Sequence, residues 1–128
     1  MRLLLDTHAF LWWLTDSPKL STAARAVIAD PENDTLVSAV VGWECATKHR
    51  LCKLPQAEYF VARTDDLMLR AVMTSLVVTL GHALRAGSYP TAHGDPFDRM
   101  LAAQAELDGL ILVTRDPAFR QFPVNVLW

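Results

Sequence analysis

The amino-acid sequence predicts a three-layer α/β/α sandwich around a mainly parallel central sheet, built as one domain of 128 residues. Three observations point there. Continuous apolar runs such as Leu3-Leu4-Leu5 and Leu110-Ile111-Leu112-Val113 read as strands buried on both faces, the habit of parallel strands covered by helices on each side. Stretches with helix-capping signals alternate with those runs, as in βαβ units. With 52% hydrophobic and 20% charged residues, the chain has apolar side chains for one core and too little length for separate binding and catalytic bodies.

The elements follow in order. The first strand, residues 1–5, stops at Asp6-Thr7, and a short helix continues through Phe10, Trp12, Trp13 and Leu14 until Ser17-Pro18 breaks it. A second helix over 21–29 opens on a Ser/Thr cap and ends before Asp30-Pro31. Residues 35–37 form the second strand, and Ser38 caps a long helix to about Leu51. Pro55 starts a helical stretch to Arg63, and Asp65 opens another to Met73. Leu76-Val77-Val78-Thr79-Leu80 is the predicted third strand, followed by a helical turn over 82–86 and a polar loop over 87–94. Asp95 as N-cap with Pro96 at the first helical position starts a helix that runs to Asp108-Gly109. Residues 110–114 are the fourth strand, Asp116-Pro117 begins a short helix to Gln121, and 124–127 form a terminal strand.

Twelve Lys and Arg against fourteen Asp and Glu give a net charge of −2, so no overall field attracts a polyanion and any nucleic-acid contact must be local. Arg2 precedes a run of only three Leu before Asp6 and His8, too short for a signal-peptide core or a membrane span. A cytoplasmic protein without membrane contact is expected. Cys45 and Cys52 are read on one helix two turns apart, with Cα atoms roughly 10 Å from each other at the helical rise. That is beyond disulfide reach, and both are expected to be reduced packing residues.

Ligands of open parallel sheets bind beyond the carboxyl ends of the strands, where helix N-termini also point. Asp6 ends the first strand, Ser38 ends the second, Asp116 closely follows the fourth, and Asp95 and Asp98 open the helix that feeds it. Glu44, further into the helix that Ser38 caps, leans back toward the same edge, because helical side chains tilt toward the N-terminus. Taken singly, each acid has a structural explanation. Asp6, Asp95 and Asp116 stand where N-caps belong, Asp95 and Asp98 make a D-x-x-D capping pattern, and Glu44 with Lys48 makes an i, i+4 pair. Taken together they need a cation. Two carboxylates ~4 Å apart repel by about 4 kcal/mol at an effective dielectric near 20, whereas a helix N-terminus returns only ~1 kcal/mol. An oxygen-only donor set selects Mg²⁺ or Mn²⁺ over Zn²⁺ here, because His8, His49, His82 and His93 are dispersed. Such an ion suits phosphodiester hydrolysis, where it activates water and neutralises charge on the phosphate.

The segments LLLDTHAFLWWL, VSAVVGWE, HGDPFDRMLAAQAE and LILVTRD resemble the four acidic motifs of the PIN domain, in the form found in VapC-type toxins of bacterial toxin–antitoxin pairs. The resemblance runs from Met1 to about Phe122 and sets Asp6, Glu44, Asp98 and Asp116 on the family's acidic quartet. It implies a Mg²⁺- or Mn²⁺-dependent endoribonuclease acting on RNA, a cognate VapB-type antitoxin whose peptide fills a groove near the site, and a homodimer or a toxin–antitoxin hetero-oligomer. In that reading Asp6 and Asp98 ligate the metal, Asp116 holds it directly or through water, and Glu44 orients or deprotonates the attacking water. Asp95 is an additional acid that binds metal through water or only caps, and Thr7, Ser38 and Thr114 assist beside the acids. Water as the nucleophile of an in-line attack leaves 5′-phosphate and 3′-hydroxyl ends.

Arg99 and Arg115 each adjoin an acid of the quartet and are the candidate substrate contacts, with a compensating salt bridge as the alternative. Lys48, Arg50 and Lys53 form a small basic strip read as a solvated face. Trp12 and Trp13 point about 100° apart on their helix, so one of them is expected on a partner surface, an antitoxin groove or a homodimer seam. Two other enzyme classes fit less well. Asp-nucleophile phosphatases want a second acid where His8 stands, and receiver domains want a Lys after LILVT. A non-catalytic PIN-like module that binds protein or RNA is the remaining alternative.

Overall fold

Leu3, Leu4 and Leu5 are all fully buried and make strand β1 (Arg2–Leu5) the centre of the computed structural model, which describes residues 1–128. Successive strand side chains point to opposite faces, so three consecutive buried leucines require cover on both. That cover is the helical layers. β1 is flanked by β2 (Asp34–Ser38) and β4 (Ile111–Val113), and the sheet closes outward with β3 (Thr74–Leu76) and β5 (Asn125–Leu127) in the order β3-β2-β1-β4-β5. All four pairings are parallel, with Leu4 in register with Leu36 on one side and Leu112 on the other. The sheet is therefore parallel throughout.

The helices are α1 (Thr7–Leu14), α2 (Thr22–Ala29), α3 (Ala39–Arg50), α4 (Glu58–Ala62), α5 (Thr64–Arg70), α6 (Leu80–Ser88) and α7 (Pro96–Asp108). Their starts are set by side-chain caps: Asp6, Ser21, Ser38 and Asp95 each accept a backbone N–H from the first turn of α1, α2, α3 and α7. α7 ends at Gly109, whose φ of 64° is a left-handed cap, with its N–H bonded to the Ala105 carbonyl. Phe10, Val41, Leu101 and Phe119 fill the space between helices and sheet.

Four expectations need correction. The third strand is not residues 76–80 but Thr74–Leu76, paired with Leu36, Val37 and Ser38 of β2. Val77 and Val78 are exposed, and Thr79 with His82 forms a reciprocal capping box that starts α6 at Leu80. That helix reaches Ser88, so it takes in the first residues of the expected loop. The stretches opened by Pro55 and Pro117 begin as tight 3₁₀ turns. Cys45 is buried, and burial pushes its thiol up to about 12. Cys52 lies past the end of α3 with φ 57° and is exposed, so it is not a packing residue.

Leu4→Ala removes a side chain with no exposed surface from the central strand. A loss of about 2–5 kcal/mol is expected for such a cavity, read as a lower urea midpoint at unchanged slope.

Candidate active site

The carboxyl end of the sheet is where the acids arrive. Asp6 directly follows β1, and its backbone N–H bonds the Val113 carbonyl of β4 at 3.2 Å. One side-chain oxygen accepts the Ala9 N–H at 2.7 Å as the cap of α1; the other accepts the hydroxyl of Thr114, just past β4. Thr114 also accepts the Asp116 N–H at 3.1 Å, so a single buried hydroxyl ties the first and last acids together. Asp116 in turn caps the following 3₁₀ turn through the Ala118 N–H at 2.9 Å. Glu44 comes from α3 and is only 5% exposed. The Thr7 hydroxyl donates to its Oε1 at 2.5 Å and Lys48 donates to its Oε2, so the i, i+4 pair exists at a buried carboxylate rather than on a solvated face. Asp95 caps α7 through the Phe97 and Asp98 N–H groups at 2.8 and 3.1 Å. Asp98 sits in the first turn of that helix, with His93 Nε2 at 2.8 Å from its Oδ2.

Asp6, Glu44, Asp95, Asp98 and Asp116 line one open cleft of about 530 Å³, together with Thr7, His8, Trp12, Lys19, Lys48, Gln56, Arg115 and Pro117. Burial and the neighbouring acids together leave an electrostatic signature. Burial holds the Asp6 carboxyl above the usual range, against the hydrogen bonds from Thr114 and Ala9. Burial raises Asp98 to about 6, with Asp95 and Glu44 adding to the rise and His93 opposing it. Lys48 moves the other way from what burial alone would do: Glu44, Asp95 and Asp98 together hold its ammonium above the ordinary value.

No three Asp, Glu, His or Cys side chains converge into a ready-made metal cage. Asp6, Glu44 and Asp98 are each held by donors of the protein. The donor chemistry still fits a hard cation, since the acids facing the cleft offer only oxygen. Asp6, Asp98 and Asp116 are the residues that could hold one.

Several expected roles fall elsewhere. Arg99 does not reach the cleft. Its guanidinium bonds the backbone carbonyls of Ala86, Tyr89, Thr91 and His93 at 2.7–3.0 Å and pins the loop between α6 and α7. Adjacent helical residues point about 100° apart, so Arg99 faces away when Asp98 faces in. Ser38 caps α3 through the Val40 N–H at 3.0 Å and is not part of the cleft lining. Trp12 is 8% exposed and forms part of the cleft wall. Trp13 is half-buried against the core, whereas Trp43 stands 58% exposed beside Phe97. Arg115 does line the cleft, without a salt bridge to Asp116. His93, Lys19 and Gln56 were missed. His93 carried a signal of its own, a polar ring close before the acidic turn, but its reach to Asp98 depends on the loop that Arg99 holds.

An all-parallel α/β fold whose acids meet in one cleft at the strand ends defines the class. The chain belongs to the PIN domain family, whose model matches residues 3–125. It is 29% identical over 122 residues to the Mycobacterium tuberculosis protein named Ribonuclease VapC22, spanning 91% of this chain and 88% of that one. It is 34% identical over 83 residues to Ribonuclease VapC16 of the same organism, spanning 62% and 56%. The fold superposes on the crystal structure of VapBC2 from Rickettsia felis bound to a DNA fragment from their promoter, with TM-score 0.68 and 15% identity, covering 100% of this chain and 99% of that one.

Two outcomes follow. Arg99→Ala leaves several carbonyls without their charged donor and is expected to lower stability by at least ~2 kcal/mol; Arg99→Lys recovers little of it, because an ammonium cannot match the planar fork. Urea unfolding of both variants checks this. In metal-free protein the raised Asp98 carboxyl binds its proton more tightly folded than unfolded, so its contribution is present below about pH 4 and is lost as pH rises through about 6. The Tm of the unaltered chain should therefore fall across that window by more than the Tm of Asp98→Asn.

Proposed function

We propose that this chain is the toxin of a VapBC-type toxin–antitoxin pair, an endoribonuclease that uses Mg²⁺ or Mn²⁺ to hydrolyse RNA. One observation carries the reading: Asp6, Glu44, Asp98 and Asp116, from four separate segments, line one cleft. The names of the Mycobacterium tuberculosis relatives support RNA as the substrate. Asp6, Asp98 and Asp116 hold the cation, and Asp95 stays a helix cap that adds negative charge at the rim. A bound divalent ion supplies charge neutralisation at the scissile phosphate and a more acidic water. Glu44 orients that water or takes its proton, fixed for the task by Thr7 on one oxygen and Lys48 on the other. Thr114 fixes Asp6 in the same way. Arg115 and Lys19 are the cleft's cations that face substrate without an acidic partner.

The assembly reading is a VapB-type antitoxin bound near the cleft, on a homodimer or within a toxin–antitoxin hetero-oligomer. Of the α1 tryptophans, Trp13, half-buried, is the more exposed, and Trp43 on α3 is 58% exposed; these are the tryptophans offered to a partner. No helix is long and apolar enough to cross a membrane; action on RNA in the cytoplasm is part of the proposal.

Purified protein incubated with RNA and Mg²⁺ should give fragments with 5′-phosphate and 3′-hydroxyl ends, abolished by a chelator and by Asp6→Asn. Cyclic-phosphate ends, or cleavage that survives the chelator, would refute the scheme, and RNA binding without cleavage would favour the non-catalytic module. Thr7→Val and Thr114→Val, which remove groups that orient the acids, should each lower the cleavage rate by about 10–100-fold.

A further inference from the structure

Trp12 is a fixed element of the cleft wall. His8, one turn back on α1, lies 5.3 Å from it between ring centroids, and Trp128 meets it edge-on at 5.9 Å. The Arg115 guanidinium lies over the same indole, 4.4 Å from its centroid. Arg115 is exposed, lines the cleft, and makes no side-chain hydrogen bond or ion pair with the protein. A planar cation is thus held by its inner face alone, with its outer face and its N–H donors open to whatever enters.

Charge does not account for substrate grip here. Five acids line the cleft against Lys19, Lys48 and Arg115, and Lys48 is bonded to Glu44. A divalent ion held by Asp6, Asp98 and Asp116 would bring the lining to about neutrality without giving it a positive excess. Two free cations make few phosphate contacts, so a term independent of charge has to add to the grip. Nucleobases stack on arginine planes in single-stranded RNA, where their faces are uncovered; in a duplex those faces are taken by neighbouring bases. Arg115 and Asp116 are consecutive, so a base resting on Arg115 belongs to a nucleotide next to the phosphate that the acids address.

We propose that Arg115, seated on Trp12, is a stacking platform for one unpaired nucleobase flanking the scissile phosphate, with Trp12 as its positioning residue. This rests on the ribonuclease reading and adds that the strand is recognised unpaired at that nucleotide.

The test uses the full chain with Mg²⁺ in a Glu44→Gln background, which slows cleavage and keeps Asp6, Asp98 and Asp116. Fluorescence anisotropy measures binding of a labelled single-stranded oligoribonucleotide, and of a series in which one abasic nucleotide is moved along it; the unaltered chain maps the cut. Arg115→Ala should weaken binding by about 5- to 150-fold, the range for loss of one stacked base. Arg115→Lys, a surface change that keeps the charge, should preserve the salt dependence without recovering the affinity. An abasic nucleotide beside the cut should cost the same factor with Arg115 and nothing more with Arg115→Lys. Equal binding by Arg115 and Arg115→Lys, or equal loss at every abasic position, overturns the platform while cleavage by the unaltered chain leaves the ribonuclease reading standing. A chain that neither binds nor cuts RNA overturns both.

Discussion

Repulsion between carboxylates at one end of a parallel sheet is the constraint on which this molecule is organised. Parallel strands deliver their carboxyl ends to the same side, and helix N-termini follow them there. Acids at those junctions cap helices well one at a time, yet five of them share a single cleft. At ~4 Å, a pair repels by about 4 kcal/mol at an effective dielectric near 20, more than a cap or a helix dipole returns. The protein meets this with dedicated donors: Thr114 for Asp6, Thr7 and Lys48 for Glu44, and His93 for Asp98. These donors do not cancel the burden. Burial still leaves Asp6 and Asp98 with a raised hold on their protons, and the neighbouring acids add to it.

The same donors determine how a cation would be received. An acid that floats freely must lose side-chain entropy to become a ligand, whereas one held through a single oxygen keeps its position and offers the other. Asp98 is bonded by His93 at Oδ2 only. Asp6 is bonded at both oxygens, but a carboxylate oxygen has more than one lone pair, so a bond from Thr114 and a bond to metal are compatible. The hydroxyl donors thus satisfy the acids and would at the same time fix them for a cation.

Signals confined to a few neighbouring residues were readable in the sequence. Asp95-Pro96 and Gly109 bracket α7 through local capping chemistry, and Ser38 and Ser21 mark their helices in the same way. Leu3 to Leu5 announce a two-sided buried strand because pleat alternation leaves no other reading. What depended on a distant partner was not readable. Residues 76–80 are apolar and β-branched enough to suggest a strand, but pairing is decided by the register with β2, which takes Thr74, Ser75 and Leu76 instead. The four acids could be assigned to one edge from topology, whereas His93 reaches Asp98 only because Arg99 gathers the carbonyls of an irregular loop.

Arg99 and Arg115 show why adjacency to an acid is a poor guide to what an arginine does. Arg99 sits in a helix, where the rotation per residue turns it away from its neighbour's target and into backbone that lacks donors. Its charge is satisfied by carbonyls, and its role is to hold shape. Arg115 sits past a strand end, where no helical rotation applies, and an indole rather than a carboxylate takes its face. A salt bridge to Asp116 would have neutralised both members and removed a cation from a cleft already short of them. Stacking on Trp12 anchors the guanidinium while leaving its charge and donors unmatched, and the Asp116 carboxylate is left without a cationic partner. The aromatic wall therefore keeps Arg115 from collapsing onto the acid beside it.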